Sequence, residues 1–326
     1  MQSMERRKLD MYEKNIAVLK DAVRNRSVIR HVSKHRNPDG SMDVEGNLTL
    51  WNQGMEPFEK MPLWENGRTP NYDASVTLQP EPYLVFIPAP VWSEVKSTIV
   101  IAHGGGFLTR TGCEGVNVAW YFHQKGYPTA ILSYRLQPYN RLDAMADLHR
   151  AIRRIRAGKE ALEVGEQVFA MGFSAGAMLC ANCGTHFDQG NPEAEDVVER
   201  YSSRPDAVVM GYGAFSKVSI PRMFLEEPEF GMWGRTLEEK IYLAPDKNLS
   251  VDTPPFFIWQ TLSDDGRHGL HLARALSDLE IHYELHIFDE GLHGIAMADG
   301  ENDLSMNLPH VQHWGELCDE WLRNLS

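Results

Sequence analysis

Apolar positions in this chain follow two rhythms. The first is a set of short, nearly unbroken runs: Tyr83 to Ile87 (YLVFI), Thr98 to Ala102 (TIVIA), Thr129 to Tyr134 (TAILSY), Val168 to Met171, Asp206 to Gly211 (DAVVMG) and Phe256 to Thr261. Runs of this length, bounded by Gly, Pro and polar residues, predict strands buried on both faces. The second rhythm is helical. Met145, Leu148, Ile152 and Ile155 predict a helix over 143–157, and Val311, Trp314, Cys318 and Trp321 predict another at the C-terminus. Residues 117–125 and 270–279 read as helices too. Residues 281–288 (IHYELHIF) read as the last strand, with Tyr283, Leu285 and Ile287 on its apolar side and His282, Glu284 and His286 facing away. Leu48 to Trp51 is a further short strand candidate. From Thr98 onward strands alternate with helices, which implies an α/β architecture: a mostly parallel sheet covered on both faces.

Two segments stand outside that alternation. Residues 1–36 hold ten Lys or Arg against four Asp or Glu, and Tyr12, Ile16, Leu19, Val23 and Val28 form a loose helical stripe. Residues 1–45 therefore read as a basic helical extension docking on the acidic body or on a sister subunit. Phe215 to about Ser250 is the main insertion, carrying Met223, Phe224, Phe230, Met232 and Trp233. It reads either as a cap over 215–250 that shapes a substrate pocket, with Trp233 in its lining, or as a helical excursion packed on the body. The whole of 1–326 is expected to be a single domain.

Charge narrows the partners. Net charge is 32 − 45 = −13, and outside the basic segment it is −13 − 6 = −19. Such a surface repels nucleic acid and anionic membranes, and suits a neutral small molecule. No apolar run approaches the ~20 residues of a membrane span. The start, MQSMERRKLD, lacks the apolar stretch of a secretory signal, so a cytoplasmic location is expected. Cys180 and Cys183 form a C-x-x-C inside a predicted helix, which reads as core packing rather than a redox or zinc pair. No metal or cofactor is expected.

The chemistry lies in two motifs. Gly172-Phe173-Ser174-Ala175-Gly176 stands between a predicted strand and a predicted helix. A serine on so sharp a turn lifts its hydroxyl clear of the sheet, and small neighbours leave the turn room. His103-Gly104-Gly105-Gly106-Phe107 follows another strand, and its glycines let bare N–H groups approach a carbonyl oxygen. A serine so placed needs a histidine to take its proton and a carboxylate to hold that histidine. In HYELHIF the histidines lie on the strand; His293, in Gly291-Leu292-His293-Gly294 beyond it, sits in a loop able to reach back to Ser174. For the acid, Asp264 and Asp265 compete after Phe256 to Thr261.

HGGGF, GFSAGA, WQTLSDDG and HIFDEGLHG, in that order, resemble the esterase/lipase group of α/β-hydrolases, most closely its acetyl-esterase and acetylxylan-esterase-like branch. The resemblance covers about residues 75 to 326. It implies an α/β-hydrolase fold: a mostly parallel eight-stranded sheet, helices on both faces and a small cap-like insertion. It implies Ser174 as nucleophile, His293 as base and, on the alignment of the strand end, Asp264 rather than Asp265 as acid. Gly105, Gly106 and Ala175 would supply the oxyanion N–H groups, His103 would support that loop, and Phe107 would line the substrate pocket. His268, beside the acid, is excluded as base by chain order. Where the family continues with an apolar-Val-Pro stretch, this chain has Gly266-Arg267-His268. The expected reaction is hydrolysis of short acyl esters, acetyl above all, from acetylated sugars or xylo-oligosaccharides. The alternatives are another acyl hydrolase (lactonase, arylformamidase or peptidase) or a non-catalytic binding protein on the same fold. A homo-oligomer is left open.

Overall fold

The computed structural model describes residues 2–24, 37–65, 67–220, 234–302 and 304–325. Eight strands form one sheet in the order β1-β2-β4-β3-β5-β6-β7-β8. These are β1 Met61–Pro62, β2 Tyr83–Ile87, β3 Thr98–Ala102, β4 Thr129–Ser133, β5 Val168–Phe173, β6 Ala207–Gly211, β7 Phe256–Thr261 and β8 Tyr283–Phe288. From β3 to β8 every pairing is parallel; β2 runs antiparallel to both β1 and β4.

Helices cover both faces. In chain order they are α1 Gln2–Arg24, α2 Val44–Met55, α3 Val118–Gln124, α4 Arg141–Ala157, α5 Lys159–Leu162, α6 Ala175–Thr185, α7 Leu237–Tyr242, α8 Arg267–Asp278 and α9 Pro309–Leu325. Alternate strand residues feed two cores. Val100, Ala130, Met210 and Ile258 pack under α4, α6 and α8, while Ile99, Ile131, Phe169, Val209 and Trp259 pack under α3 and α9. This explains why the inner strands show continuous apolar runs rather than alternation.

Two sequence expectations need correction. Leu48–Trp51 is not a strand but lies within α2. The Asp43 side chain caps that helix by accepting the Gly46 N–H at 2.8 Å, and Leu48, Trp51 and Met55 then fall on one buried face. A capped helical stripe outweighs the strand propensity of four residues. The remaining strand is the two-residue β1. Of the two histidines in 281–288, His282 is exposed as expected, just before β8, but His286 does not turn away from packing. The His286 ring lies 5.3 Å from Phe257, on the same side as buried Phe288, because both faces of this edge strand are partly covered.

The described part of the basic N-terminal segment is bound closely to the sheet. Asn15 is fully buried in α1; its amide donates to the carbonyls of Phe86 (2.8 Å) and Glu59 (2.9 Å) and accepts the Glu59 N–H. Val28 lies outside the described residues. So do Met223, Phe224, Phe230, Met232 and Trp233 of the expected cap. On either side of that gap Phe215 and Ile220 are buried, and α7 opens on a capping box of Thr236 and Glu239. Among the described residues no helix is long and apolar enough to cross a membrane.

Candidate active site

The candidate nucleophile sits where β5 passes into α6. Ser174 has φ 53° and ψ −120°, a conformation L residues rarely adopt. The turn is held by its neighbours. The Ser174 N–H donates to the Gly211 carbonyl at 3.0 Å, and a Cβ on Gly176 would fall 2.0 Å from the Ala102 carbonyl oxygen. With no side chain tolerated there, β3 and the start of α6 close tightly around the serine.

Ser174 Oγ lies 2.7 Å from His293 Nε2, and His293 Nδ1 lies 2.7 Å from Asp264 Oδ2. An ionised carboxylate only accepts, so the Nδ1 proton points at Asp264 and Nε2 is left to accept from the serine hydroxyl. Burial depresses the His293 imidazole, but the hydrogen bond and charge of Asp264, helped by Glu114, outweigh it and hold the group above its usual range. Asp265 goes elsewhere. Its residue adopts φ 54°, and its carboxylate pairs with Arg267, both contacts at 2.6 Å. That fork carries Asp265 away from His293.

His293 rides a loop held at several points. Trp314 Nε1 donates to the Ala296 carbonyl (3.1 Å) and Gln312 Nε2 to that of Ala298 (3.0 Å), both from α9. The Tyr212 hydroxyl accepts the Ala296 N–H at 2.9 Å. The rival histidines are structural. His103 is fully buried and stacked on Tyr134, and burial together with Arg110 pulls it down to about 3. His268 is held down to about 4, first by burial, and its Nδ1 accepts the Phe215 N–H at 3.0 Å.

The candidate oxyanion loop, Gly104-Gly105-Gly106, passes close to Ser174 at Gly104. His103 Nδ1 donates to the Gly104 carbonyl at 2.7 Å. Because the peptide is planar and trans, the Gly105 N–H must point the opposite way. Gly105 and Gly106 have φ of 113° and 64°, backbone that only glycine adopts freely. Ala175 is the first residue of α6, and its N–H has no partner within the helix. Phe107 is buried, packed on Tyr134 and 5.3 Å from the Arg141 guanidinium. Trp233 lies outside the described residues.

Sequence reading passed over two residues here. Glu114 is buried in a π-helical turn, Cys113–Asn117; its carboxylate accepts the Gly104 N–H at 2.7 Å and the Tyr212 hydroxyl at 2.8 Å. The Tyr212 ring edge meets the His293 ring at 5.2 Å. The available signal was that Glu114 is the lone acid in the 35 residues between HGGGF and Asp143. Among the described residues no cluster of His, Cys, Asp or Glu could hold a metal, and the four cysteines are buried with no disulfide among them.

A family model described as BD-FAE matches residues 85–266. The chain is 28% identical over 311 residues to an endo-1,4-beta-xylanase B of Butyrivibrio fibrisolvens; that span is 90% of this chain but 46% of the relative, so the chain spans about half the length of the curated relative it matches. Among solved structures, an acetyl ester-xyloside bifunctional hydrolase of Caldicellulosiruptor lactoaceticus is similar at 30% identity and a TM-score of 0.69, over 82% of this chain and 96% of that one. A propionate-bound esterase of Thermogutta terrifontis shares the fold at 22% identity and a TM-score of 0.64, over 83% of this chain and 96% of that one.

Proposed function

The chain belongs to the BD-FAE family, and from that premise we propose that it is a serine carboxylic-ester hydrolase that removes short acyl groups, acetyl above all, from sugars or xylo-oligosaccharides. The observation that carries this reading is the continuous hydrogen-bonded chain from Ser174 through His293 to Asp264. In the first half-reaction Ser174 Oγ attacks the ester carbonyl carbon while His293 Nε2 takes its proton. The carbonyl oxygen becomes an oxyanion facing the N–H groups of Gly105, Gly106 and Ala175, each such donor contributing about 3–4 kcal/mol to the transition state. The intermediate expels the alkoxide, which leaves as the alcohol on receiving the proton from His293. Water then attacks the acyl-serine by the same route, and the carboxylic acid departs. Asp264 holds the tautomer and steadies the imidazolium.

The preference for acetylated xylosides is supported by the names of the relatives, an acetyl ester-xyloside hydrolase and a xylanase. Under this proposal the segment 215–250 caps the site and the reaction takes place inside the cell. The test is a panel of p-nitrophenyl acyl esters, acetylated xylo-oligosaccharides and aryl amides, with fluorophosphonate labelling of Ser174. We expect acetyl esters to turn over fastest and Ser174→Ala to abolish both turnover and labelling. Turnover of amides without esters would sink the reading.

A further inference from the structure

We propose that Glu114 is a positioning residue for this reaction: through Tyr212 it holds the oxyanion loop and the histidine loop in one hydrogen-bonded unit, and its charge steadies the His293 imidazolium. The proposal rests on the hydrolase reading above and deepens it.

Three observations converge. The first is the pattern of bonds. One Glu114 oxygen accepts the Gly104 N–H; the other accepts the Tyr212 O–H, and the Tyr212 oxygen in turn accepts the Ala296 N–H. The direction of each proton follows from the donors available. With Glu114 holding the Gly104 N–H and His103 holding the Gly104 carbonyl, both peptides leading into the loop are fixed. The Gly105 N–H, opposite the Gly104 carbonyl on its planar peptide, and the Gly106 N–H are under this proposal the donors offered to the oxyanion.

The second observation is burial without a counter-ion. Glu114 is 1% exposed, and the groups acting on it are Tyr212, His293, Gly104 and Thr111; no Lys or Arg pairs with it among the described residues. Burial pushes its carboxyl above the usual range, while its hydrogen bonds and His293 pull it back. Around His293 the charged groups are Asp264, from the end of β7, and Glu114, from the π-helical turn. A proton moving onto His293 therefore meets two carboxylates and, among the described residues, no opposing cation.

The third is the backbone. Tyr212 has φ 38°, an uncommon conformation for a non-glycine residue. A Cβ on Gly104 would stand 2.4 Å from the Glu114 oxygen and 2.9 Å from the Ser174 Cβ. The loop peptide is thus pressed between the buried carboxylate and the nucleophile. A π-helical turn, a left-handed tyrosine and a close glycine contact all serve to bring one carboxylate to this point.

The test compares Glu114→Gln, Tyr212→Phe and the double variant with the wild type, using p-nitrophenyl acetate across pH. An amide in place of the Glu114 carboxylate would offer one accepting oxygen to two donors. For Glu114→Gln we expect kcat to fall about 10–100-fold with KM within about twofold, the scale of a misplaced reacting group. Removing a negative charge beside His293 lowers its pKa, so the acid limb of the rate profile moves to lower pH. Tyr212→Phe should lose less, and the double variant no more than Glu114→Gln, because both act along one path. Wild-type kcat and an unmoved acid limb in folded Glu114→Gln would overturn the proposal while leaving the hydrolase reading intact. Should Glu114→Gln not fold, unchanged kcat in Tyr212→Phe overturns it. A wild-type protein that neither hydrolyses esters nor takes up fluorophosphonate overturns the hydrolase reading first, and this proposal with it.

Discussion

Among the described residues, the carboxylates of Asp147 and Glu114 are almost wholly cut off from water, and their partners differ. Asp147, on α4, meets Arg135 through contacts of 2.7 and 3.0 Å and also accepts the Arg135 backbone N–H at 2.8 Å. Burial pushes it up to about 6 against the pull of that guanidinium. Among the described residues Glu114 meets only neutral donors: a peptide N–H, a phenol and the Thr111 side chain. A buried acid beside a cation is locally neutralised and serves the scaffold, here the junction of β4 and α4. A buried acid held by neutral donors has no cation to offset its burial, and in the proposal above the titratable group beside it is the imidazole of His293. The lesson is that the partner of a buried charge, more than its depth, separates framework from chemistry.

The comparison is sharpened most by the acid that touches the imidazole directly. Asp264→Asn should lower kcat by about 10³–10⁴-fold through the wrong histidine tautomer, with little change in melting temperature. Ester hydrolysis beside a thermal melt checks both halves. Asp147→Asn is the reciprocal case. It leaves Arg135 buried and half-paired, and should cost about 3–5 kcal/mol in urea denaturation while the folded fraction keeps its rate. An Asp147→Asn protein that is stable but slow would break the distinction.

A smaller effect is expected in the pH profile. In the proposed mechanism His293 acts as base only when neutral, and it is held above the ordinary imidazole value. Activity should therefore fall as pH drops through a point above 6.5, higher than for a free histidine. An acid limb below that value would show that the two carboxylates do not act on the ring as described. The smallest effect belongs to Asp265→Asn. Its partner Arg267 is exposed, so the rate should stay within about twofold and stability should not move measurably.

These contrasts also mark what the sequence could show. Ser174 and His293 were legible because strand ends and small-residue motifs are local signals. The choice of Asp264 over Asp265 needed the family's pattern, since the turn that diverts Asp265 depends on φ at one residue and on a fork to Arg267. Strand β1 escaped notice because two residues carry no periodicity. Leu48 to Trp51 misled because the cap that makes it helical, Asp43, lies five residues upstream. Glu114 and Tyr212 stayed hidden for a different reason: the bonds that join Glu114 to Tyr212 and Tyr212 to Ala296 span 98 and 84 positions of the chain, and neither residue lies in a motif.

The backing of the histidine loop by α9 reaches into practical handling of the protein. Trp314 and Gln312 grip the carbonyls of Ala296 and Ala298, so the base is only as steady as the last helix. A shortened tail, or a bulky fusion that peels this helix from the sheet, should silence the enzyme while strands at the far edge remain paired. Loss of turnover would then be the earliest symptom of wear at the C-terminus.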